Sequence, residues 1–102
     1  MHAVVGIWTL DEVLREEQLR VLHEEVVPRT VGMPGFVCGY WTHDPETGKA
    51  HSMIIFSSSR AASNFKALVT TRSQAIARLG ITNDILSSVD VVASAPNPSG
   101  VV

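Results

Sequence analysis

The sequence predicts an α+β domain of the ferredoxin-like type, with the element order β-α-β-β-α-β and one antiparallel sheet. Three observations predict it. The chain opens with a short β-branched run, two strand-like segments surround a polar loop in its middle, and each of these units is followed by apolar residues at helical spacing. A further β-branched run supplies the last strand. Because 102 residues suit a single domain, we assign residues 1–95 to one domain and residues 96–102 to a mobile tail.

The first strand is predicted over residues 3–9, whose apolar side chains fall on both alternating phases. Such a pattern is typical of a strand that is covered on both faces. The following helix is predicted over residues 11–31, where Leu19, Leu22 and Val26 form an apolar stripe. Pro28 has no N–H to donate to the carbonyl four residues back, so we expect it to kink this helix or to begin its end.

A turn at Pro34 and Gly35 leads into a hairpin. Proline fixes φ at the second position of a type II turn, and glycine accepts the positive φ at the third. The two strands are predicted over residues 36–43 and 50–57, with the polar loop 44–49 between them. Strict alternation along the first strand gives one face to Val37, Gly39, Trp41 and His43, and the other to Phe36, Cys38, Tyr40 and Thr42.

The second helical region begins after three consecutive serines, residues 57–59, which are good N-cap residues. It is predicted over residues 60–69, with Phe65 among the buried side chains, and a second helical piece is predicted over residues 73–79. The last strand is predicted over residues 87–95. One face of that strand would carry Val89, Val91 and Ala93.

The composition restricts the classes of partner. Hydrophobic residues make up 45% of the chain and charged residues 18%, so we expect a pocket, a subunit interface or both to cover the excess apolar surface. A formal net charge of -2 without a basic stripe argues against nucleic-acid binding. No apolar run approaches the ~20 residues that cross a membrane. One cysteine, Cys38, permits no intrachain disulfide, and the N-terminus lacks a signal-peptide pattern, so the cytoplasm is the expected location.

The chain carries Met-Pro-Gly-Phe at residues 33–36, Gly-Tyr-Trp at 39–41 and Ile-Ile-Phe-Ser-Ser at 54–58, followed by Ala61, Ala62 and Phe65. Together with the first strand and the long helix, these residues resemble the antibiotic biosynthesis monooxygenase-like proteins of the dimeric α+β barrel superfamily. The resemblance covers residues 3–95. It implies a homodimer in which two sheets pack face to face, with a ligand pocket between each sheet and its helices.

The resemblance also bears on cofactors. The family includes cofactor-free quinone-forming oxygenases, heme-degrading enzymes and members without an assigned activity. Its heme-degrading branch uses an Asn on the first strand, a Trp, and a heme-ligating His on the second helix. The corresponding positions here hold Ile7 or Gly6, Phe65 and about Ala75. Heme degradation is therefore disfavoured, and we expect no cofactor.

Two histidines, His43 and His51, flank the hairpin loop. Only Asp44 and Glu46 lie near them, at no recognisable metal-ligand spacing, so we predict no metal site. We assign the role of catalytic base to His51, because it starts a strand with apolar Met53 on its face and an imidazole can accept a proton near neutral pH.

Aromatic rings supply most of the predicted substrate-binding surface. Trp and Tyr side chains bury a large apolar area while keeping one polar group, so they suit a pocket and a subunit interface equally well. The Asn64 amide, on the first turns of the second helix, either contacts a ligand or faces water. The predicted substrate-binding set is Trp8, Tyr40, Trp41, Phe56, Asn64 and Phe65.

The sequence leaves three functions open. The first is a homodimer that binds a small apolar molecule and acts as a cofactor-independent monooxygenase on an aromatic substrate. The second is a noncatalytic dimer with a binding or structural role. The third is an isomerase that uses His51 or His43 as its base, since one barrel can support several chemistries.

Overall fold

A computed structural model describes residues 1–95, in which four strands form one antiparallel sheet with the helices on one of its faces. The predicted mobile tail, residues 96–102, lies outside the described residues. The strands are β1 (His2–Leu10), β2 (Phe36–Asp44), β3 (Lys49–Phe56) and β4 (Ile81–Asp90). The helices are α1 (Arg15–Val21), α2 (Val27–Val31), α3 (Ser59–Thr71) and α4 (Ser73–Arg78).

The strand order across the sheet is β2-β3-β1-β4, and every neighbouring pair is antiparallel. β1 and β3 are therefore central, and β2 and β4 form the two edges. A short 3-10 turn, Glu12–Leu14, leads into α1, where the Asp11 side chain accepts a hydrogen bond from the N–H of Val13. This arrangement confirms the predicted ferredoxin-like α+β fold.

The core lies between the sheet and α3. Val4 on β1 shares a sheet face with Ile54 and Phe56 on β3, and all three are almost completely buried. Ala62 and Phe65 on α3 meet them, and the rings of Phe56 and Phe65 lie 5.2 Å apart between centroids. The small alanine side chain lets the helix approach the sheet closely, and the paired rings fill the space beside it.

The first helical region continues through Pro28 to Val31. Leu22–Val26 wind as a π-helical turn, in which the N–H of Val27 donates to the carbonyl of Leu22. Pro28 follows in the first turn of α2. Because the π-helical turn already replaces the usual hydrogen bonds between residues four apart, the missing N–H of proline costs little stability. The helix thus changes type just before Pro28 and ends shortly after it, at Val31.

A bulge near the start of β2 changes the predicted faces of that strand. Phe36 pairs with Phe56 and Cys38 pairs with Ile55, so Val37 has no counterpart on β3. The shift turns Phe36 toward the helices, where its ring packs edge-on against Phe56 with centroids 6.3 Å apart. The predicted grouping of Phe36 with Cys38 on one face is therefore wrong, because strict alternation does not survive the extra residue.

The last strand lies earlier in the sequence than predicted. β4 spans Ile81–Asp90, whereas the sequence pattern had indicated residues 87–95, and residues 91–95 form no strand. Val91 and Ala93 therefore belong to no sheet face. The first half of β4 is polar because an edge strand bonds to one neighbour only and tolerates exposed side chains. The prediction followed the β-branched residues and missed this polar half.

Candidate functional site

A cavity of about 310 Å³ lies between the helix-covered face of the sheet and the helices. It sits toward the end of the sheet where β1 ends and β3 begins. Its helical side contains Leu19, Leu22 and Val26, the stripe that the helical spacing had predicted. Its strand side is dominated by aromatic and aliphatic groups, so the cavity is mainly apolar.

Trp8 occupies the strand side of the cavity because Gly6 leaves room for its indole. A Cβ placed on Gly6 would lie 2.6 Å from Trp8 Nε1 and 2.9 Å from Ser52 Oγ, so the ring lies back over the glycine. The indole Nε1 donates a hydrogen bond to Ser52 Oγ at 3.2 Å. Two contacts, one steric and one polar, thus fix the position of this ring.

On β2, Gly39 leaves room for the indole of Trp41 in the same way. A Cβ on Gly39 would lie 3.1 Å from Trp41 Cη2 and 2.9 Å from Ile54 Cδ1. In both strands a glycine stands two residues before a tryptophan on the same face, and the indole fills the space that the glycine leaves. Sequence reasoning missed this repeated Gly-X-Trp pattern, although it is visible in the sequence.

We expect Gly6→Ala to lower the free energy of unfolding by about 1–3 kcal/mol, because the new methyl group must displace the indole of Trp8. Urea unfolding measures the change. Gly32→Ala is the matched control, since a Cβ there approaches nothing closer than 3.6 Å. We expect that control to shift the free energy of unfolding by less than about 0.5 kcal/mol. Equal effects of the two substitutions would contradict the proposed packing of Trp8 over Gly6.

Gln18 contributes a buried amide to the wall of the cavity. Only 5% of the residue is exposed, and its Nε2 donates to the carbonyls of Asp11 and Leu79, each at 2.9 Å. Since both donor protons are used, the amide orientation is fixed. The Oε1 atom is buried and accepts no hydrogen bond from the described residues. The sequence feature that could have identified Gln18 as a cavity residue is its position four residues before Leu22, on the same otherwise apolar stripe of the helix.

His43 lies on the same face of β2 as Trp41 and borders the cavity. Its Nε2 is buried, forms no hydrogen bond within residues 1–95, and lies 3.5 Å from the Glu12 Oε1 atom. The arrangement can therefore support proton transfer at the cavity wall.

His51, the predicted base, lies elsewhere. It also borders the cavity, but strand alternation puts its side chain on the face opposite to Ser52 and Ile54. On that face its strand neighbours are Thr42 and Ile7, and the Thr42 hydroxyl donates to the His51 carbonyl at 2.7 Å. The imidazole is exposed rather than enclosed.

The predicted substrate-binding residues divide into two groups. Trp8, Trp41 and Phe65 meet around the cavity. The other three lie outside its wall, for different reasons. Tyr40 is on the opposite face of the sheet, Phe56 is fully buried in the core, and Asn64 is on the exposed surface of α3.

The face of the sheet opposite the helices is mainly apolar and uncovered, and we call it the open face. Three rows of side chains cross it from β2 to β4. They are Cys38, Ile55, Ala3 and Val89, then Tyr40, Met53, Val5 and Ser87, then Thr42, His51, Ile7 and Ile85. Tyr40, Met53 and Ile85 expose 66%, 46% and 49% of their surface, which is unusual for such side chains on one continuous sheet.

One end of the open face is polar and internally paired. Lys49 Nζ donates to Asp84 Oδ2 at 2.8 Å and to Thr9 Oγ1 at 2.9 Å, and the Thr9 hydroxyl donates to Asp84 at 2.7 Å. The hydrogen bond from Lys49, followed by that from Thr9, holds the pKa of the Asp84 carboxyl below its usual value. Asp44, the strand partner of Lys49, lies at the same end of this face.

Residues 1–95 contain neither a metal-binding cluster nor a helix that could span a membrane. No group of three or more His, Cys, Asp or Glu side chains in this range is arranged to hold a metal ion. Within the same part of the chain, every helix is too short or too polar to cross a bilayer.

Comparison with known proteins identifies the fold. No protein-family model matches the sequence, and no match was found among curated protein sequences. A candidate antibiotic biosynthesis monooxygenase from Deinococcus radiodurans is similar in structure, with a TM-score of 0.75 and 16% identity over 95% of this chain and 97% of that one. A monooxygenase from the gene ActVA-Orf6 of Streptomyces coelicolor, solved with the ligand Nanaomycin D, has a TM-score of 0.64 and 14% identity over 94% of this chain and 92% of that one. The predicted resemblance to antibiotic biosynthesis monooxygenase-like proteins is confirmed at the level of the fold.

Proposed function

We propose that this chain is a homodimeric enzyme that binds an apolar aromatic molecule in the cavity and oxidises it with molecular oxygen, without a cofactor. The observation that carries the proposal is the cavity itself, in which two positioned indoles and Phe65 surround a space of about 310 Å³. Small-molecule sites are typically apolar pockets of about 300–1,000 Å³ with a few placed polar groups. The ligand held by the Streptomyces relative supports a small-molecule role.

The polar groups of the wall suggest how such a ligand is oriented. Gln18 offers a buried acceptor whose donor side is already bound, so it favours a ligand hydroxyl over a ligand carbonyl. His43 Nε2 is the other buried polar atom of the wall that forms no hydrogen bond among the described residues, and it lies 3.5 Å from Glu12 Oε1. A buried polar atom without a partner costs about 1–3 kcal/mol, which a hydroxylated ligand would recover on binding. A phenol or a related hydroxylated ring system therefore suits the cavity.

The proposed reaction begins with removal of a proton from an activated CH₂ group of the ring system by His43. The electron pair left on carbon reduces molecular oxygen, and a carbon–oxygen bond forms. The peroxide anion takes back the proton from His43, and the hydroperoxide then loses water, with the second hydrogen of the CH₂ group, to leave a carbonyl. The sum is CH₂ + O₂ → C=O + H₂O, in which the substrate carbon is oxidised and oxygen is reduced.

The geometry favours His43 over His51 as the base. A base must lie within hydrogen-bonding reach of the proton that it removes. His43 shares a sheet face with Trp41 and the cavity, whereas the His51 side chain lies on the open face. His51 remains a candidate base only for a substrate that reaches the open face.

Anthrone is a suitable probe of this proposal because it carries an activated CH₂ group between aromatic rings. With the purified wild type, we expect oxygen uptake above the rate in buffer, with one oxygen molecule consumed for each anthrone oxidised. Ala50→Phe should suppress the uptake, because Ala50 lines the cavity and a phenyl ring there fills it. Ala67→Phe, on the exposed surface of α3, is the matched control and should retain the activity.

The same experiment separates the alternatives. Binding of anthrone without oxygen uptake would favour a noncatalytic binding protein. Conversion of a probe without oxygen consumption would favour an isomerase that uses His43 or His51. If anthrone neither binds to the protein nor causes oxygen uptake, the proposed function is contradicted.

The open face supports the homodimer. Its exposed side chains include Tyr40, Met53 and Ile85, and its Lys49–Asp84 ion pair is satisfied within the chain. A second copy presents an identical surface, so a two-fold axis would bring apolar side chains against apolar side chains. We place the dimer in the cytoplasm, where the free thiol of Cys38 would remain reduced.

A further inference from the structure

A second, smaller cavity of about 120 Å³ adjoins the first. Five residues line both cavities and therefore stand between them: Trp8, Val69, Ile76, Ile81 and Leu86. The remaining walls differ. Thr70, Ser73 and Asn83 line the second cavity and not the first, and they add hydroxyl and amide groups to its mainly apolar wall.

Trp8 is the largest member of the shared wall and the one whose position is most strictly fixed. It lies on the central strand β1, where Asn83 is its partner on β4. Its indole is directed by Gly6 beneath it and by the hydrogen bond to Ser52 on the other neighbouring strand. The other four shared residues are aliphatic and have no polar anchor. The indole of Trp8 is therefore the fixed part of the boundary.

We propose that Trp8 is a partition that sets the length of the ligand. With the indole in place, the large cavity stays near the lower end of the volume range of small-molecule sites. A smaller residue at this position joins the two cavities. The joined site admits a longer ligand of a defined chemical class, an aromatic ring system with a short chain that ends in a hydroxyl group for Thr70, Ser73 or Asn83 to bind. This inference rests on the proposed binding function of the large cavity.

Two probes test the partition by titration calorimetry: 2-naphthol, and 2-naphthol extended at the far ring by a three-carbon chain with a terminal hydroxyl. We expect the wild type to bind the short probe more tightly. Trp8→Ala should reverse this order and bind the extended probe about tenfold more tightly than the short one, because the chain gains buried apolar contact. An unchanged order of affinities in Trp8→Ala would overturn the proposal.

Two further variants serve as controls for the role of Trp8. Trp41→Ala removes an indole that lines only the large cavity, so it should weaken both probes without reversing their order. Trp8→Leu keeps an apolar side chain on β1 and should show the same reversal in smaller degree, which provides the test if Trp8→Ala does not fold. If Trp41→Ala also reversed the order of affinities for the two probes, Trp8 would have no special role as a partition.

A structural measurement distinguishes failure of the partition from failure of the binding function. If the wild type binds neither probe, the proposed function fails. The role of Trp8 as a partition can then be tested separately in crystals under xenon, because apolar cavities take up xenon. We expect separate xenon positions on the two sides of the indole in the wild type and one continuous volume in Trp8→Ala. Separate volumes in the variant would overturn the partition.

Discussion

Ile85→Asp should convert the protein from a dimer to a monomer in native mass spectrometry. Ile85 lies on the open face beside Ile7, and 49% of its surface is exposed in the single chain. In the folded monomer an aspartate there would reach water, so folding should be little affected. In the proposed dimer its charge would be buried without a partner, which raises the dissociation constant by about 100-fold or more.

Val13→Asp is the matched control for this substitution. Val13 is the same kind of exposed apolar residue, with 89% of its surface accessible, but it lies on the turn before α1 rather than on the sheet. We expect this variant to remain a dimer. Circular dichroism should show that both variants are folded. A wild type that is monomeric at micromolar concentration, or an Ile85→Asp variant that stays dimeric, would contradict the assignment of the open face as the interface.

His43→Gln should lower the rate of anthrone-dependent oxygen uptake by about 10²–10⁴-fold, the usual contribution of a positioned general base. Glutamine is close in size to histidine and can hydrogen-bond, but it cannot take the proton. Binding of anthrone should change little, since the apolar wall around Trp8 and Trp41 is intact. Calorimetry and an oxygen electrode measure the two quantities on the same protein.

His51→Gln is the control for the assignment of the base. Because the His51 side chain lies on the open face, this variant should keep the rate of oxygen uptake near that of the wild type. Loss of uptake in His51→Gln, with retention in His43→Gln, would return the role of base to His51. Loss in both would indicate that the substrate contacts both faces of the sheet near the hairpin.

Much of the fold could be predicted because each local pattern agreed with the global order of elements. The exceptions have physical causes. The bulge at Val37 depends on pairing with β3, which a single strand does not encode. β4 was placed too late because its polar first half is stable only as the edge of a sheet.

The candidate site could be predicted less well than the fold. Trp8, Trp41 and Phe65 were chosen as large rings, and they do surround the cavity. The alternation of β2 already placed His43 beside Trp41, but the sequence does not say which face the helices cover, since both faces carry apolar residues. Gln18 was passed over because a polar residue on a helix is usually solvated, whereas here two backbone carbonyls hold it inside.

The core and the cavity lie on the same sheet face and overlap at Val4, Ile54 and Phe65. Phe56, Ala61 and Ala62 belong to the core and do not touch the cavity, whereas Trp8 and Ala50 line the cavity and lie outside the core. Substitutions at the cavity end can therefore change which molecule is recognised while the residues that hold the domain together remain as they are. Selection for a new ligand would then act on a few positions around the glycine–tryptophan pairs.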